Sequence, residues 1–496
     1  MGEHGGSFDK NASIYDDTEE GKGVVRIASV AALGGFLFGY DSAVINGANS
    51  AIQEYFNAGA LELGFTVAAA LLGAAAGALL AGRLADHIGR LSVMRLAAVL
   101  FAISAIGCAI VPSLWLLILF RLLGGLGVGV ASVIAPAYIA EIAPARIRGR
   151  LGSLQQLAIV TGIFISLLVD FLLANAAGGS NQDFWFGWEA WRWMFFMMII
   201  PALLYGGLAL TIPESPRYLI AKHRIAEAKE VLTGLLGPRN IDAKIEKIRA
   251  SMERETEPSW KDLKSTTTGR IAGIVWIGLL LSVFQQFVGI NVIFYYSNIL
   301  WEAVGFTEDQ SFVITVISAT INILTTLIAI ATIDRLGRKP LLLIGSVGMT
   351  VTLATMALIF GTAPECTQVI ADQCTAANVA DHTPNLSAAI LGSSSPIVAL
   401  IAANLFVVAF GMSWGPVVWV LLGEMFPNRM RAAALSLAAG GQWVANWIVT
   451  VTFPPLADIS LALAYSLYAG FALLSFIFVS KWVQETKGKQ LEDMHA

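Results

Sequence analysis

The chain alternates long apolar stretches with short polar joints. With glycines, charges and polar clusters as punctuation, about twelve stretches reach the ~20 residues that a helix needs to cross hydrocarbon. They lie near residues 25–47, 62–81, 92–111, 114–139, 150–174, 192–212, 271–300, 311–333, 340–361, 396–423, 432–453 and 461–482. Lipid offers no hydrogen-bond partner to a bare backbone, so a span must be a helix or part of a closed barrel. Runs of this length without two-residue alternation predict helices.

The joints then set the expected topology, because Lys and Arg collect on the cytosolic side of a bilayer. Those after segments 1, 3, 5, 7, 9 and 11 contain no Lys or Arg, even in the long stretch 362–395. The alternate joints hold Arg83 with Arg90, Arg146 to Arg150, Arg335 to Lys339, and Arg429 with Arg431. Both termini are therefore expected in the cytosol, in a multi-pass protein of the cell membrane. Between segments 6 and 7 lies a charged stretch with helical apolar spacing (Ile225, Ala228, Val231, Leu232, Leu235) ended by Gly237 and Pro238. The predicted organisation is a cytosolic tail (1–24), a six-helix bundle (25–212), a cytosolic helical linker (213–270), a second six-helix bundle (271–482) and a cytosolic tail (483–496).

Composition agrees with this reading: 56% hydrophobic and 13% charged residues exclude a soluble globular domain. Net charge of −4 says little about partners in a protein whose charges sit in joints. The polar, acidic start lacks the basic and apolar regions of a signal peptide. Nothing points to nucleic acid. Cys108, Cys366 and Cys374 form no metal-ligand cluster; the last two, in one polar joint, can be bridged or free. No nucleophile, base and metal come together, so no enzyme, cofactor or metal is expected.

Internal repeats divide the chain again. Asp86, Gly89 and Arg90 after segment 2 recur as Asp334, Gly337 and Arg338 after segment 8. The pattern Glu-x-x-Pro-x-Arg-x-Arg, with Glu141 and Arg148, returns with Glu424 and Arg431; Glu214 is echoed by Glu485. Positive-inside topology explains the arginines and not the acids. We expect breakable ion pairs, a cytosolic latch of Asp86, Arg90, Glu141, Arg148, Glu214, Arg217, Asp334, Arg338, Glu424 and Arg431 that favours an outward-open state.

These motifs, with GGFLFGYD (34–41), PESPRYL (213–219) and QQFVGIN (285–291), make the chain resemble the sugar porter family of the major facilitator superfamily over residues 25 to 490. Two departures are Gln484, where the tail motif usually has Pro, and Leu91 after Arg90. The resemblance implies an all-α fold of twelve transmembrane helices in two pseudo-symmetric bundles, working by alternating access. It also implies sugar contacts at Gln156, Gln285, Gln286, Asn291, Asn322, Trp419 and Gln442. Carboxamides suit a neutral sugar, since they donate and accept without a charge to desolvate. Trp443, like Trp419, offers an aromatic face to a pyranose. Tyr295 and Tyr296 are candidates for an outer gate, while Trp185, Trp188, Trp191 and Trp193 suggest an interfacial belt.

Asp41 interrupts an otherwise uncharged stretch from Ile27 to Gln53, and Arg121 is the lone charge between Arg95 and Glu141. Two intramembrane charges of opposite sign are expected to pair and to couple protons to transport. Counted from the segment ends, each lies roughly 10 Å deep. Asp170 is a rival proton site, although its nearness to the outer surface points to solvation. The expected activity is proton-coupled symport of a monosaccharide, glucose first, by a monomer. An uncoupled facilitator, or a coupled pentose or inositol transporter, stays open.

Overall fold

A computed structural model describes residues 20–143, 148–238, 240–254, 263–264, 269–303, 305–362, 395–426 and 430–486. The pair Cys366 and Cys374 lies outside them. Helices follow in the order α1 (Glu20–Ala43), α2 (Ile45–Phe56), α3 (Ala60–Ile88), α4 (Arg90–Ile110), α5 (Leu114–Ile142), α6 (Arg148–Ala177), α7 (Ala190–Met197) and α8 (Ile199–Leu208). After them come the short helices α9 (Pro216–Ala221), α10 (Ile225–Leu236) and α11 (Ile241–Arg254). The rest are α12 (Gly273–Phe287), α13 (Ile290–Tyr295), α14 (Ser297–Ala303), α15 (Glu308–Leu336), α16 (Arg338–Thr362), α17 (Ser395–Gly411), α18 (Trp414–Met425), α19 (Arg431–Ile459) and α20 (Leu461–Trp482). Among the described residues, eleven helical stretches are long and apolar enough to cross a membrane. The 29-residue α19 is not among these; it has the length but carries Gln442, Asn446 and two prolines.

Four predicted spans are broken. The first is α1 and α2, parted at Val44; the sixth is α7 and α8; the seventh is α12, α13 and α14; the tenth is α17 and α18. Gly289 explains one break, since its φ of 80° belongs to the left-handed region and a Cβ there would stand 2.7 Å from the Tyr468 ring. The extension of α2 to Phe56 corrects a depth: Asp41 is fifteen residues before the end of that helix, about 22 Å along the axis.

Helices α1 to α8 pack as one group and α12 to α20 as another. Between lipid-facing helices the apolar drive to associate is weak, so close backbone approach matters. One example is α3 on α5, where a Cβ on Gly125 would fall 2.0 Å from the Ala70 carbonyl oxygen. The two groups meet where α3 packs on α19 and α6 on α15. Helices α9, α10 and α11 build a separate small core from Tyr218, Leu219, Ile220, Ala228, Leu232, Ile241 and Ile245. The structure is that of an all-α membrane protein with two related helix groups.

Candidate functional site

At the end of the molecule that carries the basic joints, the sequence repeat becomes a repeated piece of geometry. Gly89 and Gly337 both turn the chain with φ of 94°, and each starts a helix with an arginine. Arg90 grips Glu141 with Nε and Nη2 at 3.1 and 2.9 Å; Arg338 grips Glu424 at 3.0 and 2.8 Å. Glu214 accepts the backbone N–H groups of Arg90 and Leu91, and Glu485 those of Arg338 and Lys339. A hydroxyl completes each cradle: Ser215 donates to Glu141, and Thr486 to Glu424 at 2.6 Å. A fork of five fixed donors matches carboxylate geometry, which is why both grips are bidentate. Asp86 adds a 3.1 Å contact to Arg90 from an exposed position.

Each cradle lies within its own helix group. The ion pairs expected at the cytosolic helix ends form, and in the present conformation the described pairs fasten α3, α4, α5 and the start of α9 together, and separately α15, α16, α18 and the chain after α20. The side chains of Arg148, Asp334 and Arg431 fall outside the described set. Arg217 has an interaction of its own. Glu485, Ser215 and Thr486 were not among the expected members, although the Glu214 and Glu485 echo pointed to the first of them.

The middle of the molecule is polar and uncharged. Gln285, 2% exposed on α12, donates to the carbonyls of Trp414 and Gly415 at 2.9 and 3.1 Å. Both carbonyls lie in the first turn of α18, just after the break between Gly411 and Trp414. The break at Gly289 brings Asn291 back to Gln286, Nδ2 to Oε1 2.6 Å, which a continuous helix would not do. Unused capacity remains: Gln285 Oε1, Gln442 Oε1 and Trp447 Nε1 are buried with no hydrogen-bond partner. Such groups are costly unless something else completes them. Trp419 is 44% exposed, and Trp443 packs on Phe38 of the other helix group with ring centroids 5.9 Å apart. Asn322 on α15 lies near Gly411, whose added Cβ would be 3.6 Å from Asn322 Oδ1. Gln156 on α6 is half-buried. Its neighbour Gln155 was not anticipated; it is 8% exposed with both amide atoms unpartnered, facing Gly35 of α1. Only the tandem of two glutamines signalled it.

Asp41 and Arg121 are both 1% exposed and do meet: Arg121 Nη1 donates to the Asp41 backbone oxygen at 2.8 Å and lies 3.4 Å from Oδ1. Gly124, a turn further along α5, leaves room, for a Cβ there would be 2.9 Å from Asp41 Oδ1. Arg121 also faces the Phe195 ring at 6.0 Å. Asp170 behaves differently from expectation: it is fully buried, not solvated.

At the opposite end from the cradles, the two helix groups are sewn together mainly by amides, hydroxyls and backbone groups, with two glutamates as acceptors. Asn46 donates to Ser297 Oγ at 2.7 Å and accepts from the Asn298 N–H; Asn49 donates to the Tyr295 carbonyl at 2.5 Å. Ser50 donates to Glu302 at 3.3 Å, and Glu308 accepts the Ser180 N–H at 3.0 Å. Tyr296 is fully buried and donates to the Thr450 carbonyl, while Tyr295 is 7% exposed. The seam residues were missed in the sequence. The signal was there: Asn46, Asn49 and Ser50 are polar positions on one helical face in an apolar neighbourhood. Of the expected aromatic belt, Trp185 is exposed, whereas Trp191 is buried under Tyr55 and Arg192.

Two related helix groups, an uncharged polar centre with unsatisfied amides, broken helices lining it, and a seam that shuts one end define a membrane transporter. The chain belongs to the sugar (and other) transporter family, whose model matches residues 27–496. It is 54% identical over 486 residues to a glucose transport protein of Synechocystis sp., covering 98% of this chain and 99% of that protein. It is 36% identical over 513 residues to the D-xylose-proton symporter of Escherichia coli K12, covering 95% of each. Among solved structures, an inward-open conformation of the xylose transporter from E. coli matches with a TM-score of 0.77 at 35% identity, over 95% of this chain and 99% of that one.

Proposed function

We propose that this protein carries a monosaccharide, glucose in the first place, into the cell together with a proton by alternating access. The observation that carries the coupling is the Asp41–Arg121 pair, two charges at 1% exposure remote from any other described ion pair. A buried pair is costly to keep and costlier to break on one side only, so its retention asks for a use. Protonating Asp41 from outside weakens its hold on Arg121; closure over sugar follows, and the proton leaves on the cytosolic side. Support for glucose is the Synechocystis relative's name, and support for the proton is that of the E. coli symporter.

In this reading Gln156, Gln285, Gln286, Asn291, Asn322, Trp419, Gln442 and Trp443 hold the sugar, and residues 25–212 and 271–482 are the two moving bundles, joined by 213–270. The basic end faces the cytosol, with both termini there, and the seam is the outer gate, Tyr295 and Tyr296 included. The conformation is then outer-closed, and the cradles stiffen each bundle. One copy suffices, since both halves of the site lie in one chain.

Proteoliposomes test the coupling. An acid-outside gradient should concentrate labelled glucose, helped by about 2.3 kcal/mol per charge per 100 mV of membrane potential. Asp41→Asn should abolish accumulation and leave exchange of labelled for unlabelled sugar running. Accumulation by that variant, or none by the wild type, would sink the coupled reading. Competition by xylose or inositol in preference to glucose would overturn the choice of sugar.

A further inference from the structure

Asp170 sits near the middle of the outer half of α6, with no exposure to solvent. Neither carboxyl oxygen has a well-formed hydrogen bond, and the polar group beside it is the Gly47 backbone N–H. Among the described residues no cation reaches it. The helices packed on α6 are α1, α2, α5, α7 and α15. From α1 comes Tyr40, whose hydroxyl is itself buried and unpartnered. On α5, Arg121 is committed to Asp41; on α7, Arg192 is committed to Glu189 and to the carbonyls of Ala109 and Val111. Glu308 of α15 takes the Ser180 N–H, and Glu54 of α2 takes the Asn181 amide. An ionised carboxylate in such a place is far more expensive than a neutral acid.

The lid over Asp170 is also the gate. A Cβ on Gly47 would stand 2.6 Å from Asp170 Cβ and 2.7 Å from Oδ2, so α2 can settle on the acid only because this position is glycine. The same helix carries Asn46, Asn49 and Ser50 of the seam. One helix, α2, thus carries both the seam and the cover of Asp170.

We propose that Asp170 is a second proton-binding carboxyl of the carrier, which takes up a proton from the outer side as α2 closes and holds it while the seam stays shut. The proton arrives from water before closure and returns to water when α2 lifts; no other bond changes. This rests on the alternating-gate reading above and adds to it a link between outer closure and external acidity that does not pass through Asp41.

Infrared spectroscopy on protein with 13C-labelled aspartate carboxyls reads the proton directly. With the seam locked by a short linker between Asn46→Cys and Ser297→Cys, the carbonyl band of an un-ionised aspartic acid should be present at pH 7, where a free aspartate is ionised. Asp170→Asn should remove it and Asp41→Asn should not. No such band, or one untouched by Asp170→Asn, overturns the proposal. As a check that needs no lock, proton uptake on sugar-driven closure in weakly buffered solution should fall by about one proton per carrier in Asp170→Asn. Asp170→Glu should restore it, and equal uptake in all three overturns the proposal. The infrared band does not depend on transport, so a wild type that moves sugar without protons would count against the coupled reading and leave Asp170 to be judged by the band.

Discussion

The two ends of this carrier are built from different chemistry. At the basic end, charge is answered by charge inside each helix group: Arg90 with Glu141, Arg338 with Glu424, both bidentate and mostly buried. At the other end, the contact between groups is made mainly by amides and hydroxyls, Asn46 with Ser297 and Asn49 with the Tyr295 carbonyl, and its two glutamates, Glu302 and Glu308, meet a hydroxyl and a backbone N–H and no cation among the described residues. A buried ion pair broken on one side costs several kcal/mol, whereas a neutral hydrogen bond exchanged for water costs about 1 kcal/mol. Strong bonds inside each body and weak ones between bodies are what a rigid-body gate requires. A seam of full charges would pay a desolvation penalty at every closure.

Breaking a cradle should therefore damage the fold more than the gating equilibrium. Glu141→Ala leaves Arg90, at 12% side-chain exposure, without its main partner and should destabilise the protein by about 3 kcal/mol. Thermal unfolding in detergent checks this, and a large loss of stability with an unchanged open-to-closed ratio supports the contrast. In the second copy Glu424→Ala should cost less, about 2 kcal/mol, because Glu424 is 32% exposed.

Cutting the seam should do the reverse. Asn46→Ala removes partners from Ser297 and the Asn298 N–H and should shift the equilibrium toward the outer-open state by about 1–2 kcal/mol, near tenfold, with little change in melting. Labelling of a thiol placed beneath the gate measures it. If this variant melts early and stays closed, the two ends do not divide the work as described.

Glu302 adds a pH term to the seam. Burial, and secondarily the charge of Glu308, raise its carboxyl to about 7, against a small opposing effect of the Ser50 hydrogen bond. The closed state thus binds this proton more tightly than an open, hydrated one. Closure from Glu302 is favoured fully below the ordinary glutamate range and fades as pH rises through about 7. Since one proton is involved and the group is partly exposed, the closed-to-open ratio should change by less than tenfold per pH unit. Glu302→Gln should flatten this dependence, and a profile unchanged by that substitution would remove Glu302 from the seam's account. The smallest effect is expected in the linker, where Arg224 and Glu227 pair in full exposure at 2.7 Å. The arginine holds that glutamate below its usual range, yet Arg224→Ala should leave the melting temperature unmoved.

Hydrophobic runs, basic joints and the paired motifs of the chain were enough to reach a helical carrier with two related halves, because lipid forces every span to be a helix and tolerates a lone charge only for a reason. The meeting of Asp41 with Arg121 and the return of Asn291 to Gln286 across Gly289 were legible in the same way. What could not be read were pairings set by which helix faces which, and these depend on packing. Tertiary structure decided that Arg90 and Arg338 close on acids of their own half, that Gln155 turns inward beside Gln156, and that Asn46 and Asn49 face Ser297 and Tyr295. It also decided that Asp170 lies under α2 and away from water. Distance from the end of a hydrophobic run measures depth along one helix, while solvation depends on what the neighbouring helix lays over it.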